Sequence, residues 1–307
     1  MPHGNLPYGK ITGVQKDPHV TSNLSTVVER RRLRTELRRA RQDADLTQDQ
    51  VATEMDWSLS KLIRIENGSV SISRNDLLAL LPLYGIRDKA EVQRLIELAR
   101  AARQPSWWSK YRGEVPPAFY SYLEYEAAAS AIRLYESFLV PGLLQTRDYA
   151  HRAISVYKGN FSSKTIQTRL EIRMARQQLL EQGKPPRMHF ILDEAVIRLL
   201  LGDERVREEQ IEKLIEMAGR PAVTIEIVPF SAGLHRGLGE TFTLLEFRDT
   251  SDDDVLYFEN ARDALFSHDD SEEVVLYQEI FGDLRKISLG VKGSMEYLNR
   301  IRAETGS

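Results

Sequence analysis

The sequence predicts a multidomain protein: an all-α N-terminal domain built from short helices, then an α+β domain with a small mixed sheet. Three observations predict this. Between residues 24 and 104, apolar side chains recur at helical spacing and turn residues interrupt them repeatedly. From residue 188 onward, short runs rich in Val, Ile, Phe and Thr alternate with helical stretches. Between the two patterns lies a proline- and tryptophan-bearing segment that fits neither.

The elements follow in order. Residues 1–23 hold Gly4, Pro7, Gly9, Gly13 and Pro18 with little periodicity and read as a flexible tail. Helix follows from Leu24 to about Asp43, with Leu33, Leu37, Ala40 and Ala44 on one side. Thr47 can cap a short helix over Gln48–Met55, and Ser58 another over Leu59–Glu66, which Asn67-Gly68 would end in the left-handed conformation. Asn75–Tyr84 and Lys89–Arg103 are two further helices, the first stopped or kinked by Pro82. Residues 105–118, with Trp107 and Trp108 between prolines, form an aromatic connector expected to fix one domain against the other. Helices are expected at 119–137, 146–157, 162–182, 194–201, 204–218, 271–287 and 292–303. Strands are expected at Met188–Leu192, Val223–Pro229, Thr241–Phe247 and Val255–Glu259.

Composition limits the function classes. With 307 residues, 42% of them hydrophobic and 28% charged, the chain suits two folded domains rather than a disordered segment. No apolar run approaches the ~18 residues a membrane span needs, and no apolar leader follows the N-terminus. Membrane partners are therefore not expected, and a cytoplasmic location is. Cysteine is absent, which excludes disulfides, thiol catalysis and cysteine-ligated zinc. The net charge of −3 hides an asymmetry: residues 24–74 carry +2, and 75–307 carry −6. Seven arginines fall between Arg30 and Arg41 with one acid, Glu36. A basic front on an acidic body suits a polyanion at one end only, although charge runs are also commonly solvated helix faces.

The strongest local signal is Thr47–Gly68. Ala52 is small where two helices must cross closely. Val51, Met55, Leu62 and Ile65 can share one small core. Asp56-Trp57-Ser58 forms the turn between the helices, and Asp56 tolerates a left-handed backbone. This is the mechanics of a helix-turn-helix, whose second helix, capped at Ser58, would present Leu59, Ser60, Lys61 and Arg64 outward to a DNA major groove. Bland alternatives stand beside this reading. Gln48 could only cap its own helix, Ser60 could lack a base partner, and Lys61 and Arg64 could touch phosphates alone.

The combination of Gln48, Ala52, Ser60, Ile65-Glu66 and Gly68 resembles the lambda-repressor-like, or xenobiotic-response-element, family of regulators over residues 30–86. The resemblance implies that Gln48 and Asn67 grip phosphates, that Ser60, Lys61 and Arg64 face base edges, and that Arg74 reaches the backbone or minor groove. Arg41 and Glu66 would form a structural salt bridge. The turn departs from the family in having Asp56 instead of glycine, and Ile63 stands where a small polar residue is common.

Farther along, Trp107-Trp108, Val140-Pro141-Gly142-Leu143-Leu144-Gln145-Thr146 with Asp148-Tyr149-Ala150, Leu192-Asp193-Glu194, and Val228-Pro229-Phe230 with Gly233 and His235 occur in sequence. Over residues 105–290 this is similar to the WhiJ-like, antitoxin-like actinobacterial regulators, in which a helix-turn-helix precedes a domain of unknown function. That implies a transcription regulator with a small partner protein encoded nearby.

No P-loop, nucleophile elbow or His-Glu-x-x-His helix is present. The six histidines are scattered, and Gly233, Gly237 and Gly239 around His235 lack the strand–turn–helix setting of a dinucleotide loop. No enzyme, metal or cofactor is expected; the rival readings are an antitoxin-like protein-interaction module and an enzyme carrying a DNA-binding appendage. Arg169, Arg173 and Arg176 share a helical stripe that could bind an anion or serve in internal salt bridges. Val140–Leu144 reads as packing, and Asp252–Asp254 and Asp269-Asp270 as solubilising turns.

The full expectation is a flexible tail at 1–23, a helix-turn-helix DNA-binding domain at 24–104, the connector at 105–118, and a regulatory and dimerisation domain at 119–307. Its expected partners are double-stranded DNA, a second copy of the chain, and a small protein or small-molecule effector.

Overall fold

The computed structural model describes residues 18–66, 70–103, 106–156, 162–200, 203–247, 254–259, 264–267 and 271–305. The N-terminal domain consists of α1 (Pro18–Asp43), α2 (Gln48–Glu54), α3 (Leu59–Glu66), α4 (Arg74–Leu83) and α5 (Lys89–Ala101). The expected tail is corrected at its end: α1 begins at Pro18, a residue suited to a first helical turn because its missing N–H would have no partner there. The part of the tail before Pro18 lies outside the described residues. Capping is local and readable. Thr47 and Gln50 form a reciprocal capping box, and Ser73 and Asp88 accept from Asp76 N and Glu91 N. Leu33, Leu37, Val51, Leu62, Ile65, Leu77, Leu80, Leu81 and Leu95 form the core of this domain.

The C-terminal domain starts earlier than its sheet. Trp108 is fully buried in the larger core, so the connector's 3-10 turn, Trp107–Tyr111, is part of that domain's packing and also lies against α1. Next come α6 (Pro117–Ala128), β1 (Ala131–Glu136), α7 (Arg147–Ser155), α8 (Ser163–Arg176), β2 (Arg187–Asp193), α9 (Glu194–Arg198), α10 (Glu204–Ala218), β3 (Val223–Val228), β4 (Phe242–Glu246), β5 (Val255–Glu259), β6 (Ala264–Ser267), α11 (Ser271–Ile287) and α12 (Gly290–Thr305). The helix expected over 119–137 is therefore wrong in its second half. Residues 131–136 are a central strand buried on both faces, and Ala129 is already extended. In Ala-Ile-Arg-Leu-Tyr-Glu the charged residues Arg133 and Glu136 fall three apart, and a strand covered on both sides lacks the alternation that would tell it from a helix.

The sheet order is β3-β2-β1-β4-β5-β6, with β1, β2 and β3 parallel and the remaining pairs antiparallel. On one face, Ile132, Phe190, Ile225 and Leu245 pack beneath the helices of the larger core. On the other, Tyr135, Ile191, Phe242 and Leu256 pack against Phe281 and Leu284 of α11. The corner between α11 and α12 blunts the outer edge of β3: Leu289 N donates to Ile227 O at 2.9 Å, and Ile227 N donates to Ser294 Oγ at 2.8 Å.

The α11 face also buries a polar group. His189 Nε2 lies 3.6 Å from Glu226 Oε2, with the ring edge-on to Phe281. Arg285 of α11 faces the same carboxylate, and Ser288 Oγ donates to it at 2.9 Å. Burial holds the imidazole's proton affinity below its ordinary value, outweighing the pull of Glu226; Arg285 and Arg133 push the same way as burial. Between the folded and unfolded values, the unfolded chain binds the extra proton. Stability should therefore fall as pH drops below about 6.5, the ordinary histidine value. Denaturant midpoints at pH 7 and pH 5 should show a smaller acid loss for His189→Gln than for the parent; an identical loss would refute the assignment.

Candidate nucleic-acid interface

The pair α2–α3 is set by short-range chemistry. Ala52 and Val51 are buried where the helices cross, and Leu62 and Ile65 point inward beneath them. Asp56 takes φ 52°, the left-handed geometry expected at the turn, and Trp57 N donates to Ala52 O at 2.8 Å. Ser58 Oγ accepts from Lys61 N at 3.2 Å and opens α3.

Behind α3, Glu66 is the organising charge. Its carboxylate is 1% exposed, yet it accepts from Arg41 Nε at 2.7 Å, Arg41 Nη2 at 3.1 Å and Gln48 Nε2 at 2.7 Å. The Glu66 hydrogen bond raises the Arg41 pKa. Burial next to this carboxylate pushes the Tyr84 phenol well up as well. The pair expected from resemblance is thus present, and it also takes up the Gln48 amide. Gln48 stays half-buried at the rim, with its amide on Glu66.

The outward side of α3 carries Ser58, Leu59, Ser60, Ile63 and Arg64, all exposed. No side-chain hydrogen bond or ion pair of Arg64 is found among the described residues. Lys61 departs from the expectation of a free base-facing cation. Its ammonium is 3.2 Å from Asp76 Oδ1 at the start of α4 and 3.8 Å from the centre of the Trp57 ring. Arg74 is exposed at the first position of α4. Asn67 lies outside the described residues.

The arginine run on α1 is mostly engaged internally. Arg30 Nε donates to Ala102 O at 2.5 Å, Arg32 pairs with Glu36, and Glu36 also meets Arg94. Arg39 pairs with Asp43. Arg38 is the functional candidate that sequence reasoning missed. It is exposed, donates to Glu66 O at 3.2 Å, and borders a shallow hollow with Gln42, Thr47 and Gln48 at the foot of α3. Its spacing of three from Arg41 is the signal that could have found it, since both side chains then lie on one helix face.

The other candidates resolve into packing. Arg176 bonds buried Glu126, Arg173 Nη1 donates to Gln145 Oε1 at 3.0 Å, and Val140–Leu144 lies in the core. The stripe is thus used internally at both of these positions. Asp254 accepts from Gln278, while Asp252, Asp253, Asp269 and Asp270 lie outside the described residues. Among the described residues, no group of three His, Cys, Asp or Glu could hold a metal ion, and no helix is long and apolar enough to cross a membrane.

Comparison with known families agrees with this division. A model described as a helix-turn-helix domain matches residues 32–95. A model described as a domain of unknown function, DUF5753, matches residues 119–300. Comparisons with curated proteins and with solved structures give no match.

Proposed function

The chain belongs to the DUF5753 family and carries a DNA-binding helix-turn-helix in front of it, and from that premise we propose that it is a sequence-specific transcription regulator, not an enzyme, of the lambda-repressor-like kind. The carrying observation is the open face of α3. Ser60 and Arg64 stand exposed beside Leu59 and Ile63, while the charges behind the helix are held by Glu66. In a major groove, Arg64 can donate two hydrogen bonds to one guanine, and Leu59 or Ile63 can cover a thymine methyl. Arg38 and Arg74 would meet phosphates on either side. Lys61 would join them only after leaving Asp76, so Arg64 carries most of the base choice.

One such head reads a half-site. The regulator would bind as a homodimer, with half-sites about 34 Å or a multiple apart. The DUF5753 domain would dimerise the chain and receive a signal, from a small protein or a small molecule, by favouring one arrangement of the two heads. A duplex-DNA partner would place the protein in the cytoplasm.

The test is a titration against duplex taken from upstream of its own gene, at several salt concentrations. Arg64→Ala should weaken specific binding by about 1–3 kcal/mol and relax choice at one base pair, leaving binding to random duplex nearly unchanged. Equal loss on both duplexes would reduce Arg64 to a phosphate contact. No loss on either would favour an antitoxin-like protein-interaction module.

A further inference from the structure

The parallel part of the sheet ends in a feature that DNA binding does not use. The chain runs from β1 to β2 to β3 on one side, then crosses back to β4 on the other side of β1. In open α/β sheets ligands are commonly held outside the carboxyl ends of the parallel strands, where the strand order reverses. Here the loop from Pro229 to Thr241 crosses that end, and three polar side chains converge under it: Tyr135 from the end of β1, Asp193 from the end of β2 and His235 from the loop. His235 Nε2 is 3.6 Å from Asp193 Oδ2, and the His235 ring stands edge-on to Tyr135 with centroids 6.2 Å apart.

Two atoms of this cluster are unsatisfied. Tyr135 is fully buried and the His235 side chain is 7% exposed, yet Tyr135 OH and His235 Nδ1 have no hydrogen-bond partner among the described residues. A buried polar atom without a partner is costly, and two in one place point to an outside group that serves both. Large apolar side chains on the same segments face solvent: Phe138, two residues past β1, is 70% exposed, Phe230, two past β3, 60%, and Leu234, beside His235, 94%. The ends of the loop are tied to the same edge. Phe230 N donates to Glu194 Oε2 at 2.8 Å, and the hydroxyls of Ser137 and Thr241 meet at 3.4 Å.

We propose that this edge binds a small, uncharged, mainly apolar molecule bearing one hydroxyl or amide group. The head would donate to His235 Nδ1, whose ring turns Nε2 toward Asp193, and accept from the Tyr135 hydroxyl. The apolar body would cover Phe138, Phe230 and Leu234. An anionic head is disfavoured, because the Asp193 and Glu136 carboxylates already act on the Tyr135 hydroxyl. A cationic head finds no free carboxylate in Glu136 or Glu194, which accept from Thr241 and from Tyr297 respectively. This site is the receiving end of the signal in the proposed function and rests on that reading. Binding is measured without DNA, so failure of the site and failure of the DNA reading give separate results.

The probes are 2-naphthol and its methyl ether, 2-methoxynaphthalene, titrated into the full chain by calorimetry and ligand-observed NMR. The naphthol should bind saturably and at least about fivefold more tightly than the ether, the worth of roughly one hydrogen bond. His235→Phe, which removes the acceptor, should erase that preference, whereas Tyr135→Phe and Phe230→Ser should each weaken both probes. Tyr135→Phe should melt no lower than the parent, because the hydroxyl it removes has no partner. Equal affinity for the two probes, a preference that survives His235→Phe, affinities unchanged by Tyr135→Phe, or no saturation by about 1 mM would overturn the site. So would a fall of more than about 5 °C in the Tyr135→Phe midpoint, since the hydroxyl would then be bonded within the fold.

Discussion

Replacing Glu66 with alanine is expected to destabilise the N-terminal domain by about 3–5 kcal/mol and to abolish DNA binding, although this carboxylate cannot reach a base. The side chain is buried at the end of α3 and gathers three donor contacts, two from Arg41 and one from Gln48. Truncation would leave the Arg41 guanidinium, only 12% exposed, with the Leu46 carbonyl as its remaining described partner. An uncompensated charge in that position costs far more than a lost surface pair. α3 would then lose its anchor to α1, and the outward face would lose its fixed angle. Trp57 reports the change, because it lies in this domain under the Lys61 ammonium, whereas Trp107 and Trp108 belong to the other core. Thermal unfolding followed with Trp107 and Trp108 replaced by phenylalanine should show a strongly lowered transition for Glu66→Ala and a smaller shift for Glu66→Gln, which still accepts. A loss under about 1 kcal/mol would mean that Arg41 re-pairs and that the site is less rigid than its geometry implies.

What could be read in the sequence was local. The Thr47 cap, the left-handed Asp56 and the small Ala52 each follow from chemistry within a few residues, and each stands where the spacing puts it. What escaped was set at long range. Lys61 reads as a free cation until folding brings Asp76, fifteen positions later, to its ammonium. Nothing near Gln48 announces that its amide will meet Glu66, eighteen positions later. Residues 131–136 read as helix because nothing nearby announces that they will lie between β2 and β4. β6 was not found at all, being four residues long and paired only to β5. His235 and Tyr135 at the sheet's carboxyl edge are 100 residues apart and share no local pattern, so their meeting follows only from the strand order and the loop that crosses it.

The same contrast underlies the second large effect. Arg176 is the last residue of the stripe that could have been an anion site, and it is instead sealed against Glu126 of α6, with side chains 8% and 3% exposed. Two bonds at 2.6 and 2.8 Å join them, and Tyr122 OH donates to the same carboxylate at 2.8 Å. Tyr122 in turn stacks on Tyr257 of β5, with centroids 4.2 Å apart, so the pair ties α8, α6 and the sheet together. Burial holds the Tyr122 phenol in its protonated, donating form. Either Glu126→Ala or Arg176→Ala leaves one charge without its partner in a dry core, and should cost about 3–5 kcal/mol in denaturant unfolding. Glu126→Leu with Arg176→Met removes both charges at similar volume. It should recover most of that loss, because the pair's attraction only offsets its own desolvation. A double variant as unstable as the single ones would locate the stabilisation in Tyr122 and its bond to Glu126. α6 also carries Glu124, whose carboxylate is 3.8 Å from Arg30 of α1, so a loosened α6 would reach the DNA-binding head through that helix. DNA affinity that follows the stability of the single variants, and returns in the double, would show that the head depends on how firmly α6 is held and not on either charge itself.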